Sequence, residues 1–338
     1  MRRRLLLALV LVTTVGLFSF VVPNFWQPYN IYQVIQNGVT LALLALAESI
    51  VILSGGGAID LSVGSILGLS GMFLGVLNIV RGVPIGYAIV GALIGGAALG
   101  GINGVLVSVI RIPPLIATLA TFYGYAAIAL QITNTRPLPD ATQPDLPSSF
   151  PAALITIGNG NVQDVPGFAW VPKIAGQGIP FQVGFVYVPL ALILAFVLVK
   201  TVSGRYLYGV GTNALAARFS AIDVWGVRFW AYVACGFICG LAAVVQTGLS
   251  ASATPDVGAS MNLAAITIAV LGGVSIVGGE GDVLGILLAS LIVIFLYNGI
   301  GLALGAAAGI WQPFSLGVLL IGSALVNESL RRRFSLRS

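Results

Sequence analysis

Nearly the whole chain is a succession of apolar runs long enough to cross a bilayer. A membrane-spanning helix needs about 20 mostly apolar residues. The sequence offers ten such runs, at residues 5–22, 34–53, 61–80, 85–109, 115–132, 185–201, 229–248, 262–279, 283–303 and 310–327. A closed β-barrel, the other structure that satisfies its backbone in lipid, would alternate polarity in segments of about 10 residues. These runs are apolar all round, so they predict helices. The composition agrees: 58% of the 338 residues are hydrophobic and 7% are charged, against about 25% charged in soluble domains. A soluble fold could not hide that much apolar surface. The 44 glycines suit helices packed closely in lipid. The expectation is an all-α integral membrane protein of about ten transmembrane helices, forming a single transmembrane domain over residues 1–338.

The charge of +5 does not point to nucleic acid. The basic residues fall in short gaps between apolar runs, with no single basic face. Their distribution predicts orientation instead, because cytoplasmic segments are enriched in Lys and Arg. With the N-terminus inside, twelve basic residues lie inside (Arg2, Arg3, Arg4, Arg111, Lys200, Arg205, Arg218, Arg228, Arg331, Arg332, Arg333 and Arg337) and three outside (Arg81, Arg136 and Lys173). Both termini are therefore expected to be cytoplasmic. The first run is longer than the 7–15 residues typical of a signal-peptide core and lacks a small-residue cleavage pattern, which predicts a retained first helix. Two connections are long: 134–184, expected outside (periplasmic), and 203–228, expected inside.

Several chemistries are excluded. There is no histidine, so no His-based proton relay or Ser-His-Asp hydrolase is available. Cys235 and Cys239 are four apart in an apolar run, which places two small residues on one core-facing helix face and offers too few ligands for a metal. Lys173 and Lys200 follow Pro172 and Val199, so neither sits in a Walker A loop. The chain binds no ATP by that device and shows no enzyme site.

The polar residues left inside the runs are the candidates for function. Ser54 to Ser65, SGGGAIDLSVGS, interrupts two runs, and three glycines free the backbone from helical geometry. It forms either a pathway or gate element or a tight helix–helix turn capped by Asp60. Glu48 lies within the second run, where a carboxylate costs roughly 2.5–3.5 kcal/mol on insertion scales. It should face the bundle interior, a cavity or a partner, unless it reaches water at a helix end. Asn37, Asn103, Gln246 and Asn298 are either interhelical glue or ligand groups. In the inner connection, Asn213 followed by Ala-Leu-Ala-Ala-Arg predicts a short capped helix to Phe219. It either docks a partner or is a solvated basic loop. Residues 54–70 and 272–290 echo each other, each placing glycines and one aspartate, Asp60 or Asp282, before an apolar helix. That hints at two related halves.

Three ordered motifs add a resemblance. GGGAIDLSVGS (55–65), SGRYLYGVGTNALAARFSAI (203–222) and AITIAVLGGVSIVGGEGDVLG (265–285) are followed by Tyr297-Asn298-Gly299 and Trp311-Gln312. Together they resemble the permease subunits of the ribose, xylose, rhamnose and autoinducer-2 class of ABC importers. The resemblance implies a vitamin-B12-importer-like permease fold in the bacterial cytoplasmic (inner) membrane. It implies a second permease subunit, identical or sister, ABC ATPase subunits carrying ATP-Mg, and a periplasmic or extracellular substrate-binding protein. This chain itself would bind no cofactor and no metal, and its cargo would be a sugar or sugar-like molecule. The resemblance further implies ATPase coupling through Gly204, Arg205, Tyr206, Gly209, Asn213, Ala214, Ala217 and Arg218. Glu48, Gly56, Gly57, Asp60, Ser62, Asn103 and Asn298 are the candidate substrate-pathway residues. Ala58 is an insertion relative to the usual motif. Asn262-Leu263-Ala264-Ala265-Ile266 is neutral where relatives often carry two acids, and the outer connection at 158–180 is long. ASATPDVGAS (251–260) leans toward the rhamnose and autoinducer-2 branch. An ion-coupled secondary transporter using Glu48 and Asp60 is the main alternative. A membrane-embedded enzyme and a channel follow it.

Overall fold

The computed structural model describes residues 2–335, with side-chain placement from Arg3 to Gly322. Arg337 lies outside the described residues, as do the side chains of Arg2, Arg331, Arg332 and Arg333. The chain folds into helices α1 (Arg2–Val21), α2 (Pro28–Leu53), α3 (Val63–Gly75, continued by a π-turn to Val80), α4 (Ile85–Gly104, continued to Val109) and α5 (Pro114–Ile132). After these come α6 (Ala152–Asn159), α7 (Val188–Lys200, preceded by a π-turn from Gln182), α8 (Val202–Thr212), α9 (Ala214–Phe219) and α10 (Val224–Ser250). The last three are α11 (Met261–Gly272), α12 (Val283–Leu304) and α13 (Ala308–Ser335). Among the described residues, eight helical stretches are long and apolar enough to cross a membrane, the last of them spanning Val283–Gly322 across the break at Gly305. Every predicted run falls on a helix. The run 262–279 departs most, because its helix stops after 12 residues at Gly272. Gly273 then turns the chain with φ +111°, a conformation that glycine adopts without a Cβ penalty.

Helix ends follow local chemistry. Pro28 and Pro114 open α2 and α5, where a missing N–H costs nothing. Asn213, Asp223 and Asp282 cap α9, α10 and α12 with their side chains, satisfying otherwise orphaned amides.

Close packing in the centre comes from small residues. Gly96 and Gly100 of α4 face Gly236 and Gly240 of α10, a four-residue spacing that lets membrane helices touch backbone to backbone. A methyl on Gly100 would stand 2.9 Å from the Gly236 Cα. Helix α2 runs through the middle of the bundle and is buried along most of its length.

The ends of α2 serve to name the two ends of the bundle. At the Leu53 end lie the start of α1, the segment α8–α9, the start of α10 and the turn 273–281. Arg3 donates to the carbonyls of Val270 and Gly273, Arg4 pairs with Asp282 at 3.3 Å and Arg228 reaches the Ser54 carbonyl. At the Pro28 end Tyr32 bonds Asn161, Asn30 and Asn298 exchange hydrogen bonds and Leu138 bridges Ala253.

Two irregular segments enter the bundle from opposite ends. Residues 54–62 turn back inward from the Leu53 end, and residues 251–260 enter from the Pro28 end. They meet where the Gly64 amide donates to Asn262 Oδ1 at 2.6 Å. Irregular backbone at membrane depth is tolerated when protein satisfies it, and here the Asn262 side chain at the start of α11 satisfies an amide in the opening turn of α3.

Candidate functional site

Four of the seven predicted pathway residues come together. Glu48, Asp60, Ser62 and Asn103 are all fully buried. The Asp60 amide donates to Glu48 Oε1 at 3.0 Å. Asp60 Oδ1 accepts from the Ser62 amide at 2.8 Å and the Ser62 hydroxyl at 2.6 Å. Asn103 donates to Asp60 Oδ2 at 3.2 Å and to Ser62 Oγ at 2.7 Å. Thr118 of α5 donates to the Ile59 carbonyl. Helices α2, α4 and α5 thus clasp the 54–62 segment through one polar network, and Tyr232, Cys235 and Cys239 of α10 are buried alongside. Among the described residues no group of three or more His, Cys, Asp or Glu side chains gathers as a metal set.

A cavity of about 770 Å³ lies elsewhere, between α2, α11, α12 and α13. Its polar walls include Gln33, Asn37, Ser260, Thr267, Asn298 and Gln312, with Leu, Met, Val and Ile between them and no charged residue. Asn37 donates to Gln33, Thr267 to the Leu263 carbonyl and Gln312 to the Tyr297 carbonyl. Asn298 is the one predicted pathway residue among these walls. Glu48, Asp60, Ser62 and Asn103 are not, and Gly56 and Gly57 are exposed at the Leu53 end. Neutral amides and hydroxyls set among apolar walls can exchange hydrogen bonds with hydroxyls and cover the C–H faces of a polyol.

The connection 203–228 is a helical hook, not a loop. Thr201 caps α8 by accepting from the Gly204 amide, and Asn213 caps α9 by accepting from the Ala216 amide at 2.9 Å, which realises the predicted short helix. Gly204 is buried, and a methyl there would meet the Leu198 backbone. Ala217 is buried with Val210 and Val224, so its small size seats α9 on the bundle. Arg205, Tyr206, Asn213 and Arg218 are exposed, and Gly209 and Ala214 are half-buried. The most exposed apolar side chains on α9 are Leu215 (65%) and Phe219 (85%), four apart and therefore on one face.

A glycine junction joins this hook to the 54–62 segment and to the 273–281 turn. Gly211 of α8 touches Gly55, so that a methyl on Gly55 would stand 2.6 Å from the Gly211 Cα. The Gly279 amide donates to the Leu53 carbonyl at 3.1 Å, and Tyr208 donates to the Gly281 carbonyl at 2.7 Å. Burial, with Asp282 nearby, pushes the Tyr208 phenol above its ordinary value and keeps it a donor. The two sequence echoes therefore meet at one end, in backbone contact.

Comparison with known proteins matches residues 30–324 to a family described as branched-chain amino acid transport system, permease component. The ribose import permease protein of Escherichia coli (strain K12) is 31% identical over 97% of this chain and 93% of its own. The chain belongs to this permease family. An autoinducer 2 import system permease protein of Yersinia enterocolitica is 32% identical to this permease, over 98% of this chain and 92% of its own. A fructose import permease protein of Rhizobium meliloti is 31% identical, over 96% and 85%. No solved structure matches the permease. It is a multi-pass membrane protein of a family whose matched members include sugar importers.

Sequence reasoning missed the cavity residues Gln33 and Thr267, because a lone polar residue in an apolar run carries no sign of the face it takes. It also missed Leu215 and Phe219, although their i, i+4 spacing was readable. Asn262 was noted only as a departure from relatives. In the fold its side chain accepts the Gly64 amide and fixes the crossing of the two broken segments.

Proposed function

We propose that this permease is the membrane subunit of an ATP-driven importer that carries a neutral sugar or sugar-like molecule, and that it works as a pair of permease chains. The carrying observation is the glycine junction, which couples the exposed hook α8–α9 to α11, the helix whose first turns wall the cavity. The hook is the docking element for an ABC ATPase that binds ATP-Mg. The Pro28 end, with the 134–184 connection, receives a substrate-binding protein.

The sidedness rests on charge. Arg3, Arg4, Arg111, Lys200, Arg205, Arg218 and Arg228 gather at the Leu53 end, while Arg81, Arg136 and Lys173 lie toward the other, which makes the Leu53 end cytoplasmic. Counting α11 with segment 251–260 as one crossing, and α12 and α13 separately, gives ten crossings and both termini inside. That is the count expected of a vitamin-B12-importer-like permease. The uncharged cavity fits a neutral polyhydroxyl cargo, in keeping with the ribose, fructose and autoinducer-2 named for the relatives. Asn298 takes part in the path, whereas Glu48, Asp60, Ser62 and Asn103 hold the 54–62 segment in place.

The test is purification from native cells followed by reconstitution. An ATPase should co-purify, and uptake of labelled ribose, fructose or autoinducer-2 into proteoliposomes supplied with the matching substrate-binding protein should require that ATPase and ATP. Uptake by the permease alone, driven by an ion gradient, would overturn the proposal.

A further inference from the structure

The 160–181 part of the long connection is an ordered tongue. Its base closes where the Val162 amide donates to the Ile179 carbonyl and the Phe181 amide to the Gly160 carbonyl, both at 2.8 Å. Gln163 ties its interior, accepting from the Ile179 amide and donating to the Pro172 carbonyl. Ile174 and Gln177 exchange two backbone bonds at its tip. So held, the tongue presents Trp170, 77% exposed, and Ile174, 70% exposed, with Lys173 between them. Large apolar side chains held outward together in this way suit a contact surface.

Its location identifies the contact. Phe168 packs edge-on against Phe185 with ring centroids 5.0 Å apart, and Phe185 stands in the opening turn of the span Gln182–Lys200. That span turns Leu192, Ile193, Phe196 and Val199 outward, so its outer face is lipid-facing. The tongue therefore lies against the point where lipid-facing surface begins. At the same end the bundle exposes Trp26, Tyr29, Tyr87 and Trp311, aromatic residues of the kind that collect at membrane–water boundaries. The opening turns of the α7 span present no exposed tryptophan of their own, and Trp170 is two residues from Phe168, which packs on them.

We infer that the tongue is a membrane-interface anchor: Trp170 and Ile174 enter the headgroup–acyl boundary beside α7, and the Lys173 ammonium meets a lipid phosphate. Long cationic side chains reach outward to headgroups while their neighbours sit in the apolar layer, which matches the order Trp170, Lys173, Ile174. This inference requires only that the chain spans a bilayer, so it stands apart from ATP coupling.

The test reads Trp170 in nanodiscs of phosphatidylcholine, after Trp26, Trp225, Trp230 and Trp311 are changed to Phe. Blue-shifted emission is expected, quenched more strongly by bromines high on the acyl chains than by bromines near the bilayer centre, and protected from aqueous acrylamide. Should that variant fail to fold, Trp170→Cys carrying an environment-sensitive dye gives the same reading, since Cys235 and Cys239 are buried. Emission that acrylamide quenches and lipid bromines do not would overturn the inference. So would protection that arises only when a soluble binding protein is added, which would assign the tongue to that protein.

Discussion

On the proposed docking of an ABC ATPase to α9, Phe219 is the side chain by which that contact can be measured. It is 85% exposed on a helix held by its Asn213 cap and the buried Ala217, so truncating it should leave the permease folded, within about 0.5 kcal/mol. Burying a whole Phe side chain is worth about 1.5–3 kcal/mol. Scaled by the 85% still available for burial, the contact should be worth roughly 1.3–2.5 kcal/mol. At about 1.4 kcal/mol per factor of ten, that is a loss of roughly 8- to 60-fold in affinity. Leu215, 65% exposed on the same face, should contribute roughly 1–2 kcal/mol. The double variant should fall short of the sum, because adjacent positions share a partner pocket. The assay is binding of the co-purified ATPase to Phe219→Ala, Leu215→Ala and double-variant permease in nanodiscs, with thermal unfolding of each alone as control. Arg218→Ala should instead weaken binding mainly at low salt, as an exposed rim charge does. A folded double variant that binds the ATPase as tightly as the parent would refute α9 as the docking face.

Three further outcomes follow from the geometry. Asp60→Ala should lower the thermal midpoint of the permease, at about 1–3 kcal/mol for each buried donor left unpaired, since Ser62 loses the acceptor of both its amide and its hydroxyl. Asp60→Asn, which keeps one acceptor oxygen, should cost less, and equal losses would contradict the clasp. Gly100→Val places carbon 2.9 Å from the Gly236 Cα and should cost at least the roughly 1–3 kcal/mol of an overpacked core, visible as lost folded protein in membranes. Asn37→Leu and Gln312→Leu should reduce ATP-dependent uptake while leaving thermal unfolding and ATPase binding near the parent, and full uptake in both would remove the cavity from the path.

The helical frame was legible because lipid imposes it: every run long enough to span became helix. What hydropathy cannot register is where a helix stops. Residues 262–279 read as one run, yet Gly273 ends the helix and the chain turns through Gly278, Gly279 and Gly281, all at positive φ. The α8 helix was hidden for the opposite reason. Its polar and aromatic residues resemble a loop, and only the Thr201 cap and the buried Leu207 and Val210 make it a helix. Glu48, Asp60, Ser62 and Asn103 were each legible as costly polar residues in lipid. Their assembly was not, because Asp60 and Asn103 lie on elements 43 residues apart in sequence. That meeting is set by how α4 packs, through glycines that look alike in sequence wherever they occur.

Those glycines also decide how force could cross the protein. At the junction they supply closeness, since a methyl on Gly55 or Gly211 would collide with facing backbone. Packed interiors have low compressibility and pass displacement on, so a shift of α8 is expected to move the 273–281 turn and with it α11, whose Met261, Leu263, Ala264 and Thr267 wall the cavity. Two glycines on α8 separate this account from simple helix flexibility. Ala is the better helix former by roughly 1 kcal/mol at either position. A methyl on Gly209 meets nothing within 4 Å, whereas one on Gly211 would stand 2.8 Å from the Gly279 Cα. Gly209→Ala should therefore leave uptake unchanged. Gly211→Ala should keep ATPase binding and ATP hydrolysis in the reconstituted complex while uptake falls, because the hook would still dock but no longer seat against the junction. Equal uptake by the two variants would mean that motion reaches the cavity by another route.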